Sequence, residues 1–591
     1  MQQLYTRWNA ENRNTIPLSE YPRPQMVREN YEILNGIWQY AITRNEREPL
    51  SYDGEILVPF SPEAAASGVG KVLMPGEYLH YKRNFTPDRK ADRQRLLLHF
   101  GAVDQRCRVY VNQKLAGSHE GGYLSFTFDI TPYLKEGENE IHVAVQDDSD
   151  TSYHARGKQK LERGGMFYQA QSGIWQTVWM EWVPEQYIES IRITPRCSRG
   201  GVELKVFSRE REHLPVTVRI LEEGKLIQEA VFSSEKQIFL DMGEFHYWSP
   251  EDPFLYQMEL VMGDDRIESY FAMREFTVGE DAKGIKRFFL NGKPCFHNGL
   301  LDQGYWPESL LTPPSDEAMI YDIQKMKDLG FNMIRKHVKI EPARWYYHCD
   351  RIGMLVWQDM INGGTDYHMK FVCIMPNALM WTGRCIKDNK YRAFSRQDKA
   401  GREEYRKELT GMIKQLYNVP SICVWVPFNE GWGQFDAAKA SALVQKLDPT
   451  RHIDEASGWF DQGGGDMYSI HNYWRPLKVK PEKRVVALTE YGGYSWRMPG
   501  HSYCDEIYGY KDYKSREELT EGYRGLIERD ILPNIARGLS AAVYTQVSDI
   551  EEEVNGILTY DREFVKLQED VVRELNQKIC SIFAQATEEE G

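Results

Sequence analysis

The chain is short of several things, and each shortage excludes something. Cysteine is sparse and odd in number, nine in 591 residues with no C-x-x-C pair. That count supplies neither a disulfide framework nor zinc spacing and fits free thiols in a reducing compartment. The His-Cys-Asp triplet at 348–350 also lacks metal-ligand spacing. No run approaches the roughly 18 apolar residues of a membrane-spanning helix, and the start, MQQLYTRWNAENRN, has no apolar leader core. Positive charge is in deficit, 73 Lys+Arg against 87 Asp+Glu for a net charge of −14. Nucleic acid and anionic membrane are therefore poor partners. The expectation is a cytoplasmic, soluble protein. Dimer formation is expected only because symmetric dimers are the commonest soluble oligomers.

Aromatic residues are plentiful: 15 Trp, 35 Tyr and 24 Phe make 13% of the chain. Sugars present C–H faces that aromatic rings can grip, although such rings also fill cores. The first ~185 residues alternate short apolar runs with turn residues: RLLLHFGAV (95–103), CRVYVNQKLAG (107–117), SFTFDITPYL (125–134) and NEIHVAVQD (139–147), then a strand pair in IWQTVWMEWVPE (174–185). This is the pattern of a β-sandwich, placed at 1–185. Residues 186–276 repeat it compactly, from SIRITPRC to YQMELVM, at a length that suits an immunoglobulin-like sandwich.

From 277 to 585 the period changes. SDEAMIYDIQKMKDLG (315–330) reads as a helix with a Ser N-cap and a terminal Gly. Strand–helix alternation continues through FNMIRKH, ARWYYHCDRIG, MLVWQDM, SICVWVPFNE, DMYSIHNY, VVALTEYGG and LSAAVYTQVSD, which points to a parallel (β/α)8 barrel. The tail ATEEEG reads as solvated and disordered. TDYHMKFVCIMPNALMWTGR (365–384) is long for a barrel loop and is expected to wall the pocket or mediate subunit contact.

Active-site groups of such barrels lie where strands end at the C-terminal face. Two strands here end in glutamate: Glu430 in VWVPFNEGWGQ and Glu490 in ALTEYGGY, both followed by glycine and aromatic residues. Hydrolysis of a glycosidic bond requires such a pair, one carboxylic acid to protonate the leaving oxygen and one carboxylate to attack or to activate water. Trp432, Asp302, Trp306 and Asp359 also fall near expected strand ends.

At these motifs the sequence resembles glycoside hydrolase family 2, which contains β-galactosidases, β-glucuronidases and β-mannosidases. The resemblance covers about 30–580 and rests on GAVDQRCRVYVNQKLAGSHEGGYLSFTFDIT, SGIWQTVWME, IKRFFLNGKPCFHNG, FNMIRKH, PFNEGWGQF and TEYGG. It implies a jelly-roll sandwich, an immunoglobulin-like domain and a TIM barrel. It also implies retaining double displacement, with Glu430 as acid/base, Glu490 as nucleophile and Asn429 donating to the sugar 2-hydroxyl. Tyr473 would orient the nucleophile and Arg335 would favour its ionised form, while His337 departs from the family's usual short motif and either contacts sugar or packs in the core. The family's glucuronidases hold the uronate with Asn-x-Lys; the corresponding SDIEEEVNGILTYDR (548–562) has no lysine and several acids, which would repel a uronate. Arg335, Lys336 and Lys339 offer positive charge from another side, although the two lysines read as surface charges. The expected substrate is a β-galactoside or related neutral glycoside. An α-L-arabinoside, a galacturonide, a transglycosylase and an inactive carbohydrate-binding protein stay open. No cofactor or metal is needed for the chemistry.

Overall fold

The computed structural model describes residues 2–9, 15–87, 94–376, 385–480 and 482–588. Residues 31–184 form a sandwich of a four-stranded sheet (31–33, 178–184, 94–100, 126–129) and a six-stranded sheet (54–58, 36–43, 78–85, 139–146, 106–111, 114–120). CRVYVNQKLAG is two strands rather than one, because Asn112 and Gln113 both take positive φ (49° and 66°) and close a two-residue hairpin. The run 174–185 holds one long strand, Val178–Pro184, because Gly173–Ile174 pairs separately with Val103–Asp104. The second sandwich packs three strands (188–196, 201–208, 237–241) on four (225–233, 215–222, 256–262, 265–271). Its strands Lys225–Ser233 and Asp265–Phe271 escape the sequence pattern: the first buries no residue fully and leaves Leu226, Ile227 and Val231 exposed, and the second alternates with exposed Arg266 and Glu268.

The barrel strands are β1 His297–Asp302, β2 Met333–Lys336, β3 Leu355–Asp359, β4 Ile422–Val426, β5 His452–Ile453, β6 Met467–Asn472, β7 Val485–Gly492 and β8 Leu539–Thr545. They form one parallel sheet in the order β5-β4-β3-β2-β1-β8-β7-β6. β5 and β6 share no ladder, but the seam is stitched: Asp466 N–H donates to Ile453 O at 2.9 Å and Ile453 N–H to Asp466 Oδ2 at 2.8 Å. The helix Asp316–Asp328 starts at Ser315, whose hydroxyl accepts from Ala318 N–H, as expected of its N-cap.

The C-terminal helix Glu569–Thr587 absorbs the first two residues of ATEEEG, with Ala586 buried, so that part of the tail is not solvated disorder. Of the segment 365–384, residues 370–374 form a π-helical turn and 377–384 lie outside the described residues. Lys336 and Lys339 are fully buried, not on the surface. Lys336 Nζ lies 2.6 Å from Asp302 Oδ2 and 2.7 Å from Glu341 Oε1, and Lys339 Nζ lies 2.7 Å from the same Glu341 oxygen. Charge inside a barrel persists only when paired in this way. Among the described residues no helix is long and apolar enough to cross a membrane.

Candidate active site

Glu430 does not sit on its strand. β4 ends at Val426, and the chain then swings through Pro427–Phe428 so that Asn429 bridges Ser457 and Glu430 takes a left-handed φ of 51°. Glu430 N–H is anchored on Ser457 O at 2.9 Å, which fixes this uncommon conformation and aims the side chain across the barrel mouth. Glu490 lies within β7, buried at 4% exposure. Gly493 follows, with φ 64°, where a Cβ would run into Tyr510 and Tyr473.

His471 stands between the two acids. It is on β6, and one ligand atom each of Glu430, His471 and Glu490 lies within 4.8 Å of the others. Its Nε2 meets Ser457 Oγ at 3.1 Å, while Nδ1 lies 2.8 Å from Glu430 Oε1 and 3.4 Å from Glu490 Oε2. Tyr473 donates its hydroxyl to Glu490 Oε2 at 2.7 Å, and its ring stacks on Tyr510 at 3.9 Å. Burial, then Glu490 beside it, pushes the Tyr473 phenol well up, so it remains a neutral donor.

Arg335, on β2, organises the floor. Its Nε and Nη2 fork onto both oxygens of Asp359 at 3.0 Å. Nη1 donates to Thr489 O at 3.0 Å and lies 3.4 Å from Glu490 Oε1. Nη2 also donates to Asn429 Oδ1 at 2.8 Å, which orients that amide and leaves its NH2 as a donor toward the pocket. Burial opposes the charge on Arg335, but Asp359 and Glu490 outweigh it and the guanidinium stays ionised. Burial would likewise raise Asp359, yet Arg335 and His337 hold it below the usual carboxylate range. Burial drives His337 down to about 4 against the pull of Asp359. His337 is thus a neutral imidazole whose Nδ1–H donates to Asp359 Oδ2 at 2.9 Å, leaving Nε2 an acceptor. For Glu430, burial would favour the protonated form; the hydrogen bond and charge of His471, with Lys158 and Arg335 behind, hold it below its ordinary value.

The roof comes from the first sandwich. Its segment 156–169 is clamped by the acids that were expected to face the sugar. Glu551 pairs with Arg163 at 2.8 Å and accepts from Gln169 N–H at 3.0 Å, Glu552 accepts from Gly165 N–H at 2.6 Å, and Glu553 accepts from the Tyr168 hydroxyl. These contacts dock the segment on the barrel, and of the three acids only Glu551 has, among the described residues, a cationic partner there. Phe167 packs on Trp432 at 5.2 Å, and Gly157 lies against Val338, next to His337. Between these contacts Lys158, half-buried, acts electrostatically on both Glu430 and His337. Among the described residues its ammonium has no ion pair or hydrogen bond, only the Tyr168 ring 6.0 Å away.

The structure thus gathers Glu430, Glu490, Asn429, Arg335, His337, Tyr473 and Asp359 into one constellation. Asp302 serves the Lys336–Lys339–Glu341 network and caps Gly304 N–H at 2.9 Å. Trp432 is a buried wall between Phe167 and Tyr367. Trp306 is not brought to the site: it lies in a separate cluster with Trp8, under the Arg562 guanidinium at 4.1 Å. Sequence reading missed His471, Ser457 and Lys158. His471 had a signal, since Ser469 and His471 share the inward side of a strand that leads to Tyr473; Lys158 had none, being brought in by domain docking.

Three family models match in succession: the sugar-binding domain of glycosyl hydrolases family 2 over 72–184, the domain described as glycosyl hydrolases family 2 over 186–274, and the family's TIM barrel domain over 283–480. The chain belongs to glycoside hydrolase family 2. Among family relatives, one from Formosa agariphila, provisionally named a β-glucuronidase, is 26% identical over 461 residues, covering 70% of this chain and 50% of the relative. A β-galactosidase from Thermoanaerobacter pseudethanolicus is 23% identical over 448 residues, covering 72% of this chain and 54% of the relative. The chain spans about half the length of these curated relatives. A β-galacturonidase of the family from Eisenbergiella tayi, solved with galacturonate, superposes with a TM-score of 0.70 at 19% identity, covering 94% of this chain and 99% of that one. At that identity the likeness establishes the family 2 architecture of two sandwiches and a barrel.

Proposed function

We propose that the protein is a retaining exo-glycosidase acting by double displacement, with Glu490 as nucleophile and Glu430 as acid/base. The observation that carries this reading is the closeness of the two acids, with carboxylate oxygens within 4.8 Å across His471. Retaining enzymes hold their carboxyl groups about 5–5.5 Å apart, whereas inverting ones leave about 6.5–9.5 Å for a water. Glu490 attacks the anomeric carbon while the proton held between Glu430 and His471 passes to the leaving oxygen. Esterification then removes the negative charge of Glu490. Glu430 is no longer beside a like charge, and it takes a proton from the water that releases the sugar. The Asn429 NH2 donates to the 2-hydroxyl, His337 Nε2 accepts from a ring hydroxyl, and Trp474, 65% exposed beside Tyr510, gives the aglycone an apolar face. Both carboxylates are in place, which favours turnover over a degenerate binding role.

The favoured glycone is a β-galactoside or a related neutral sugar, supported by the missing lysine in 548–562. A hexuronide is the second reading, favoured by the unpaired Lys158 at the roof. A 2-deoxy-2-fluoro glycoside with an activated leaving group tests the mechanism: an adduct mapped by peptide mass spectrometry to Glu490 supports it, and an inverted anomer by NMR refutes it. A panel of p-nitrophenyl β-galactoside, β-galacturonide, β-glucuronide and α-L-arabinopyranoside, with Glu490→Gln as blank, separates the glycones.

A further inference from the structure

A second cluster of ligating groups lies away from the barrel mouth, where the first sandwich docks on the helix Lys399–Leu416. Glu404 and Glu408 are four residues apart and share one face of that helix. Facing them are Glu120, which ends the strand Lys114–Glu120, and His154. One ligand atom each of Glu120, His154 and Glu404 lies within 4.8 Å of the other two. His154 Nδ1 is 2.9 and 2.8 Å from the two oxygens of Glu404.

Glu408 supplies an independent observation. Its side chain is 6% exposed and its Oε1 has no hydrogen-bond partner. That oxygen occupies the space a Cβ on Gly121 would need, immediately beyond Glu120. An unpaired buried carboxylate oxygen is costly. Among the described residues, no Lys or Arg forms an ion pair with Glu120, Glu404 or Glu408, and His154 is the sole partner of Glu404.

We propose that Glu120, His154 and Glu404, with the buried Glu408 carboxyl beside them, form a structural site for a divalent first-row metal ion that clamps the sandwich to the barrel. One imidazole nitrogen with carboxylate oxygens suits Zn²⁺ or Mn²⁺ better than the all-oxygen shells of Ca²⁺ and Mg²⁺. Tetrahedral ligands about 2.1 Å from an ion stand about 3.4 Å apart. Closing the present group to that spacing takes a shift of about 1 Å, within reach of the exposed Glu120 side chain. Binding displaces the Nδ1 proton of His154 to solvent. The ion would hold the base of the roof: Ala155 bridges Gly363, and Arg156 N–H donates to Asn362 O at 3.0 Å, one step before Gly157 and Lys158.

The full chain, stripped with a chelator, is titrated with ZnCl2 by calorimetry and, in parallel, with MgCl2; thermal midpoints are recorded with and without Zn²⁺. Expected is one Zn²⁺ per chain, a raised midpoint, and much weaker heat with Mg²⁺. Binding weakens by at least about tenfold in the mild surface variant Glu120→Gln. It is lost in His154→Ala, weakened in Glu408→Gln, which removes a neighbouring carboxylate, and kept in Glu430→Gln, which alters the other group of ligating atoms. No Zn²⁺ heat, full affinity in Glu120→Gln or His154→Ala, or loss in Glu430→Gln would overturn the proposal and leave a plain His154–Glu404 ion pair.

Discussion

Replacing Lys336 by Met is the sharpest test of the charge network inside the barrel. Met keeps the length of the lysine stem and removes the ammonium. Lys336 is 0% exposed, and its ammonium makes two charge-assisted contacts, 2.6 Å to Asp302 and 2.7 Å to Glu341. Lys339 still holds Glu341, so Asp302 is the group left without a counter-ion. Removing one partner of a buried pair costs about 3–5 kcal/mol, because the survivor is an uncompensated charge. For a barrel of this size that corresponds to a fall of roughly 5–10 °C in thermal midpoint. The pH dependence has a definite sign. In the native protein burial would raise Asp302, but Lys336 outweighs it and holds the carboxyl below its ordinary value. A depressed carboxyl contributes stability that is present above the unfolded value of about 3.9 and is lost as pH falls through the folded value. In the variant burial meets only the more distant charges of Lys339 and Arg562 and Asp302 rises, so its penalty is largest near neutrality and is relieved as pH falls. The gap between variant and native midpoints, measured by scanning calorimetry, should therefore be widest at pH 7 and narrow toward pH 4–5. A loss below about 1 kcal/mol, or a gap that does not change with pH, refutes the reasoning.

Three further outcomes follow from the same geometry. Tyr473→Phe removes one hydrogen bond to an ionised acceptor, worth about 1.5–3 kcal/mol, so kcat/KM should fall roughly 10- to 150-fold with little change in thermal midpoint; an unchanged kcat/KM would remove Tyr473 from the machinery. Glu430→Ala should lose far less activity on a p-nitrophenolate leaving group than on an alkoxide, and azide should restore turnover of the former; equal losses on both would end the acid/base assignment. Buried His297, driven down to about 3 by burial and then His452, accepts from Trp357 Nε1–H at 3.1 Å. A histidine depressed from about 6.5 takes up a proton on unfolding, so it withdraws stability as pH falls from about 6.5 toward 3, about 2 kcal/mol at pH 5. His297→Gln should show a smaller drop in midpoint between pH 7 and 5 than the native protein, and an identical drop would contradict this.

Much of the fold was legible because it is written in local periods. The Ser315 cap and the strand–helix alternation are short-range signals, and the structure follows them. What escaped reading depends on separation along the chain. Lys336 and Lys339 look like surface lysines until Asp302 and Glu341 are folded around them. Trp306 sits near a strand end as expected, but N-terminal residues around Trp8 draw it out of the pocket. The acids 551–553 read as pocket charges alone; their partners, more than 380 residues earlier, make them docking groups as well.

The roof over the two carboxylates is encoded in a different domain from the carboxylates themselves. An excised barrel would keep Glu430, His471 and Glu490 and lose the cover contributed by Phe167 and Lys158, leaving the reacting bond open to bulk water. The arrangement also separates two kinds of evolutionary change. On the proposed function, substitutions in 156–169 would alter the cover of the pocket without disturbing strands that must close a barrel, and substitutions on those strands would be constrained by the chemistry. On that reading, selectivity and reactivity would be separately mutable.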